Sequence, residues 1–88
     1  MSVIIEMAPY LRRFTGNNDR VAVSGATVRV CLSALVAQFP EIKEWLFDTH
    51  GTLKTIIVMN RKIITLKDLD SKICDNDQIR IIMPLGGG

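Results

Sequence analysis

Three glycines close the chain, Gly86, Gly87 and Gly88, preceded by Pro84 and Leu85. They follow an isoleucine-rich segment, residues 78–83, that reads as a buried strand. Glycine brings no side chain to a core and is costly to immobilise, so the run builds neither helix nor packing. What it offers is a terminal carboxylate on a backbone slim enough to enter a site that any Cβ would block. Five extended residues reach ~17 Å at most, enough to carry that carboxylate clear of a small body. Pro84 fixes φ where strand gives way to tail, so the exit direction is set while the glycines stay loose. On the residues alone two readings stand open: an idle, frayed end, or an end made to be acted on in another protein's narrow site.

The other chemistry-bearing residues form no constellation. His50 is the single histidine and falls in a loop, residues 48–52, without cysteine, histidine or carboxylate at metal-ligand spacing. Cys31 falls on an apolar helical stripe and reads as a small buried hydrophobe. Cys74 precedes Asp75-Asn76-Asp77, whose carboxylates and amide suit a turn; too few ligands follow for a cation loop. No GxxxxGK[ST] or GxGxxG phosphate cradle is present, and no Ser/His/Asp or Cys/His set. The residues alone thus offer no cofactor or metal site and no catalytic set of the chain's own.

The elements that must position the tail are legible as periods. Residues 3–7 alternate and read as a strand, and residues 20–23 as its partner in a hairpin with a long connection. Leu11 and Phe14 suggest a helical turn that pins that connection. Thr27 reads as a helix N-cap. Val28, Cys31, Leu32, Leu35, Val36 and Phe39 then recur at helical spacing. Pro40 ends this helix and opens a short one through Phe47 with Ile42, Trp45 and Leu46 inward. Residues 55–59 read as a near-central strand, Asn60-Arg61 as a tight turn, 62–64 as a short strand, and 65–74 as a link with short helical character at best. Strands and helix in this order predict an α+β domain over residues 1–83 and a flexible tail over 84–88.

By period two, Val3, Ile5, Met7, Thr55, Ile57, Met59, Ile79, Ile81 and Met83 face the helix. Ile4, Glu6, Ile56, Val58, Arg80 and Ile82 then face outward. Scattered exposed aliphatics are ordinary. If the strands are neighbours, Ile4, Ile56, Val58 and Ile82 form an apolar patch with a charged rim at the root of the tail, which is a docking surface.

Composition bounds the partners. The chain has 88 residues, 48% of them hydrophobic and 23% charged, with a net charge of +2. That is one small domain with a well-filled core. Basic residues neither cluster nor interleave with aromatics, so nucleic acid is not an expected partner. No apolar run is long enough to span a bilayer, and the N-terminus lacks the basic start of a signal peptide. Two cysteines are fewer than a secreted domain of this size carries. Cytoplasm, reduced thiols and a free monomer are the expectation, although the apolar face could pair two copies.

Several stretches together resemble the MoaD/ThiS superfamily of ubiquitin-like sulfur carriers, over nearly the whole chain. They are Tyr10-Leu11-Arg12-Arg13-Phe14-Thr15-Gly16 after the first strand; Ala26-Thr27-Val28 opening the helix and Phe39-Pro40-Glu41 closing it; Val58-Met59-Asn60 before the hairpin; and residues 75–88, Asp75-Asn76-Asp77 through Gly88. The family's Asp-Gly-Asp turn has Asn76 at its centre here, and asparagine tolerates positive φ.

The resemblance implies a ubiquitin-like β-grasp: a mixed sheet of four to five strands packed on one long helix, with a Gly-Gly tail. It implies that Gly88 is adenylated by a separate ATP-using enzyme of the MoeB/ThiF type and converted to a thiocarboxylate. The sulfur then passes to a synthase, for the molybdenum cofactor or a related thio-metabolite. Gly87 and Gly86 would allow passage through a tight channel. Leu85, Ile82, Ile56 and Val58 would anchor on the partner, and Arg80, Arg12 and Arg61 would steer docking from the rim. The chain length and the long loop over residues 9–16 lean toward MoaD- or CysO-like members. Two other functions stay open: a protein modifier conjugated through Gly88, and an interaction module whose tail is inert.

Overall fold

A computed structural model of the chain describes residues 2–82. The expected tail, with Met83, Pro84, Leu85 and the three glycines, lies outside the described residues.

Five strands form one mixed sheet: β1 (Ser2–Met7), β2 (Arg20–Ser24), β3 (Ile56–Met59), β4 (Lys62–Ile64) and β5 (Gln78–Ile82), in the order β2-β1-β5-β3-β4. β1 and β5 are parallel and every other pair is antiparallel. The last strand therefore enters the middle of the sheet and takes backbone partners on both sides. Residue 83 follows directly from a central strand rather than from an edge.

One face of the sheet is buried under α1 (Val28–Gln38). The stripe predicted from spacing is what buries: Val28, Cys31, Leu32 and Leu35 are inside, and Val36 and Phe39 pack at the border. They meet Val3, Ile5, Met7, Val21, Val23, Ile57, Ile79 and Ile81 from the sheet. Each fully buried Leu or Ile contributes about 1.5–3 kcal/mol. Thr55 and Met59 also face inward as period two predicts, Thr55 buried and Met59 half-buried.

Where α1 begins, the N–H groups of its first three residues, which have no partner within the helix, all find acceptors, and the next makes the helix's first internal bond. Val28 donates to Ser71 O, Arg29 to Leu69 O, Val30 to the Thr27 hydroxyl at 3.2 Å, and Cys31 to Thr27 O. Thr27 is thus the cap its sequence position predicts. Gly25 has a local reason as well: a Cβ there would stand 2.8 Å from Val30 Cγ1 and 3.0 Å from Cys31 N.

Those acceptors give the link over residues 65–74, expected to have short helical character at best, a part in the fold. The segment opens on a 3-10 turn, Leu66–Asp68, and buries Leu69 and Ile73 completely or nearly so. Ile73 N donates to Ala26 O at 2.9 Å. It is a strap that closes the core and caps the helix.

After Phe39 the chain makes a 3-10 turn, Pro40–Ile42, and then α2 (Lys43–Leu46), burying Ile42 and Leu46. The connection after β1 is a 3-10 turn, Pro9–Phe14, held by buried Leu11 and by Phe14 against Trp45, with ring centroids 5.2 Å apart. Trp45 thus caps the core border, as its place on the short helix predicts.

Candidate docking face at the root of the C-terminal segment

Because β1, β4 and β5 run one way and β3 the other, the sheet has two distinct ends. At one, β5 ends next to the start of β3, and Ala8 N donates to Ile81 O at 3.0 Å. This is the root, where residue 83 continues. At the other stand the Asn60-Arg61 turn and the turn before β5.

The face away from α1 carries the residues that period two assigned to it. Its cross-strand partners are given by register: Ile82 opposite Ile56, and Arg80 between Val58 and Glu6. Ile82, Ile56 and Val58 are half-buried and adjacent. Ile4 is not part of this patch. It pairs with Gln78 and Ala22, one row further from the root, behind a charged band. The patch of four expected from sequence is therefore corrected at Ile4. The period gave its direction, but the parallel register of β1 on β5 decided its neighbours.

Ile63 takes the fourth place. It pairs with Val58 and is 68% exposed. The sequence reading passed over it, since Ile63 and Ile64 adjoin in a three-residue strand and period two does not say which faces out. The available signal was the tight turn at Asn60-Arg61: it pairs Met59 with Lys62 and hence Val58 with Ile63. Ile56 and Ile63 also line a groove of about 460 Å³ with Leu53, Thr55 and Leu66 at the root end of β3 and β4.

The charged band is built on Glu6. Its Oε1 accepts from Arg20 Nη2 at 3.3 Å and its Oε2 from Arg80 Nε at 3.2 Å, with Arg80 Nη2 3.1 Å from Oε2 in the ion pair. Exposed pairs of this kind add little stability. Their effect is geometric, holding the Arg80 guanidinium against the face beside the apolar patch. Arg12 belongs to the root end, on the turn after β1, with its Nη2 3.8 Å from Asp19 Oδ2. Arg61 does not. It lies on the β3–β4 turn, five residues along from Ile56, on the order of 15 Å from the root. Gly86, Gly87, Gly88 and Leu85 lie outside the described residues.

Cys31, Cys74, Asp77 and His50 sit elsewhere, on α1, in the turn before β5 and in the loop over residues 48–52. Cys31 is fully buried, and burial pushes its thiol above the ordinary range. Cys74 is exposed. His50 sits in a loop where Asp48 Oδ1 accepts from the backbone N–H of His50 at 2.8 Å and of Thr52 at 2.9 Å. Asp77 closes its own turn: its Oδ2 accepts from Cys74 N at 2.7 Å and its Oδ1 from Asn60 Nδ2 at 2.9 Å. These bonds hold its carboxyl below the usual range, the Cys74 backbone first. Asn76 has φ 71°, the left-handed conformation its position demands. Among the described residues no cluster of His, Cys, Asp and Glu is arranged to hold a metal ion, and no helix is long and apolar enough to cross a membrane.

The model of the ThiS family matches residues 9–88. No curated protein sequence matches the chain. Solved structures with the same fold include CysO from Mycobacterium tuberculosis, 28% identical, with 94% of this chain and 99% of that one covered and a TM-score of 0.84. Small archaeal modifier protein 1 from Methanosarcina acetivorans is 26% identical, with 99% and 96% covered and a TM-score of 0.83. CysO in the BexX/CysO complex of Amycolatopsis orientalis is 23% identical, with 98% and 99% covered and a TM-score of 0.83. A β-grasp sheet with its last strand at the centre, and a family match that runs to the final glycine, converge: the chain belongs to the ThiS family of ubiquitin-like sulfur carriers.

Proposed function

We propose that this chain is a sulfur carrier whose working group is the Gly88 carboxylate, and that it is a co-substrate rather than an enzyme. A carboxylate resists attack because its charge is delocalised and oxide is a poor leaving group. Its oxygen attacks the α-phosphorus of ATP in a separate MoeB/ThiF-type enzyme, and pyrophosphate leaves. A persulfide sulfur then attacks the acyl carbon and AMP departs. A thiol cleaves the resulting acyl disulfide, leaving the thiocarboxylate on Gly88 and a disulfide on the thiol side. The thiocarboxylate is ionised near neutral pH and nucleophilic, so it delivers sulfur to a synthase for the molybdenum cofactor or a related thio-metabolite. ATP and any metal belong to the partner.

What supports this reading is a family match that runs to Gly88 on a fold whose last strand is central. The chain ends in three glycines, and the strand that leads to them is central, flanked at its exit by the Ile82–Ile56 pair and the Glu6-held Arg80. Ile82, Ile56 and Val58 anchor the partner, with Leu85 beyond them. Arg80 and Arg12 steer the approach, and Gly86 and Gly87 allow a narrow passage. The carrier works as a monomer in the cytoplasm, with both thiols reduced.

The test is incubation with ATP and adenylating enzymes of this type, reading pyrophosphate release that depends on Gly88. Intact mass of the protein taken from cells should then show one oxygen replaced by sulfur. A second reading, a protein modifier joined to lysines through Gly88, is favoured by the similarity to a small archaeal modifier protein over 99% of this chain. Covalent ladders on target proteins, without the sulfur-substituted mass, would select it.

A further inference from the structure

The sheet has two edges, and they are treated differently. At the β2 edge the Ala22 carbonyl accepts from Gln38 Nε2 at 3.2 Å, so the end of α1 blunts that strand. The β4 edge has no such cover among the described residues. Its accessible length follows from the hairpin. Asn60 N donates to Gln78 O across to β5, so even-numbered residues of β3 turn their backbone groups toward β5 and odd-numbered ones toward β4. Met59 and Ile57 therefore bond Lys62 and Ile64, and the N–H and C=O of Ile63 point out of the sheet. Two residues on, the edge closes again. Thr65 N donates to Asp68 Oδ2 at 3.0 Å, and Asp68 N to Thr65 O at 2.9 Å. Ile63 alone presents both its backbone groups and a side chain that is 68% exposed, beside the groove lined by Leu53, Ile56 and Leu66.

We infer that this edge takes a short extended segment of a partner protein in which apolar residues alternate with acidic ones. The segment bonds Ile63 through its backbone and seats an apolar side chain in the groove. Charge decides the chemistry of the occupant. Arg61, Lys62 and Lys67 flank Ile63 and Leu66, all are exposed, and among the described residues none is in an ion pair. The carboxylates of the neighbouring turns are engaged, Asp68 by the Thr65 N–H and hydroxyl and Asp77 by the Cys74 N–H and the Asn60 amide. A second copy paired here would bring six cations together and is repelled. Arg61 also holds φ 73° in a turn where glycine would sit without strain, so the chain keeps a cation there against backbone preference. The inference does not rest on the carrier chemistry. A partner strand on this edge would reach the root face through Ile56, which lines both.

The test is a titration of the isotope-labelled full chain with a blocked synthetic peptide of alternating valine and glutamate, followed by amide shifts, with the valine–lysine peptide as comparison. Shifts should centre on Lys62, Ile63, Ile64 and Leu66, and the Ile63 amide should exchange more slowly with solvent. The acidic peptide should bind about 10-fold more tightly than the basic one, with the gap closing as salt rises. Ile63→Asp should abolish binding. Lys62→Glu with Lys67→Glu should reverse the peptide preference at unchanged melting temperature, which keeps the inference testable if the Asp variant misfolds. No edge shifts at millimolar peptide, equal affinity for both peptides, shifts centred on β2, or a dimer that forms through Ile63 without peptide would each overturn it.

Discussion

The two ends of this sheet are built in opposite ways. At the turn end, polar groups are paired with one another. Asn60 bonds Asp77 and Gln78, Asp77 bonds Cys74, and the backbones of Asn60 and Gln78 join at 3.0 Å. At the root end the surface is apolar, with Ile82, Ile56 and the Leu53–Leu66 groove open. A buried hydroxyl there, on Thr55, has no hydrogen-bond partner among the described residues. The turn end stabilises the fold without outside help. The root end offers area that a second protein can bury, so one end holds the fold together and the other leaves apolar surface open.

That division is tested most sharply by separating activity from stability. Deleting Gly88, or replacing Gly87 with Val, should abolish pyrophosphate release with the adenylating enzyme and leave the melting curve unchanged. Deletion draws the terminal carboxylate back by one residue, ~3.5 Å, and valine adds bulk where only backbone should pass. If either variant melted earlier, the terminal residues would be part of the fold rather than cargo.

The largest loss of stability should come from the strand that joins the two ends. Ile81 is fully buried in the central strand between β1 and β3. Ile81→Ala should cost about 2–5 kcal/mol in chemical denaturation, from lost transfer energy and the cavity left behind. Ile82→Ala, one residue on and half-exposed, should cost under about 1 kcal/mol while weakening partner binding. Equal losses at both positions would mean that the root face is core and not interface.

This contrast also shows what the sequence could reveal. The core face, the α1 stripe, the Thr27 cap and both turns were readable because each rests on residues a few positions apart. Ile4 was placed in the wrong neighbourhood, and Ile63 was missed, because both depend on which strands pair and in what register. Leu69 and Ile73 were hidden for a related reason. Their strap has no period of its own, and its order comes from capping a helix some 40 residues earlier, at Val28 and Arg29. The terminal glycines are a different case: their type alone suggests the chemistry proposed for them.

A smaller effect belongs to the turn end and to acid. Asp77 titrates lower in the folded protein than in the unfolded chain, chiefly because the Cys74 N–H bonds its ionised form. Between the two values the unfolded chain holds more protons, so stability rises with pH there. The contribution is complete above an ordinary aspartate pKa of about 3.9 and fades as pH falls through the depressed folded value. Asp70, lowered by its bond to Arg29, acts in the same sense. Asp77→Asn should lower the melting temperature at pH 7 by several degrees and flatten the acid limb of the stability profile. An acid limb as steep as before would take the turn network out of the account.

The smallest predicted change points the other way. Two threonines are buried in this domain, and their hydroxyls are treated differently. Thr15 is fully buried, and its hydroxyl bonds Asn18 O at 2.8 Å. Thr55 is 6% exposed, and its hydroxyl bonds nothing among the described residues. A buried hydroxyl without a partner forfeits its hydration, whereas a methyl group of the same shape loses nothing. Thr55→Val should therefore raise stability by about 1 kcal/mol, while Thr15→Val should lower it by a similar amount. Both are measurable by denaturant midpoints at constant slope. If Thr55→Val destabilises instead, the hydroxyl is paired in the folded protein, and the root end is as self-contained as the turn end.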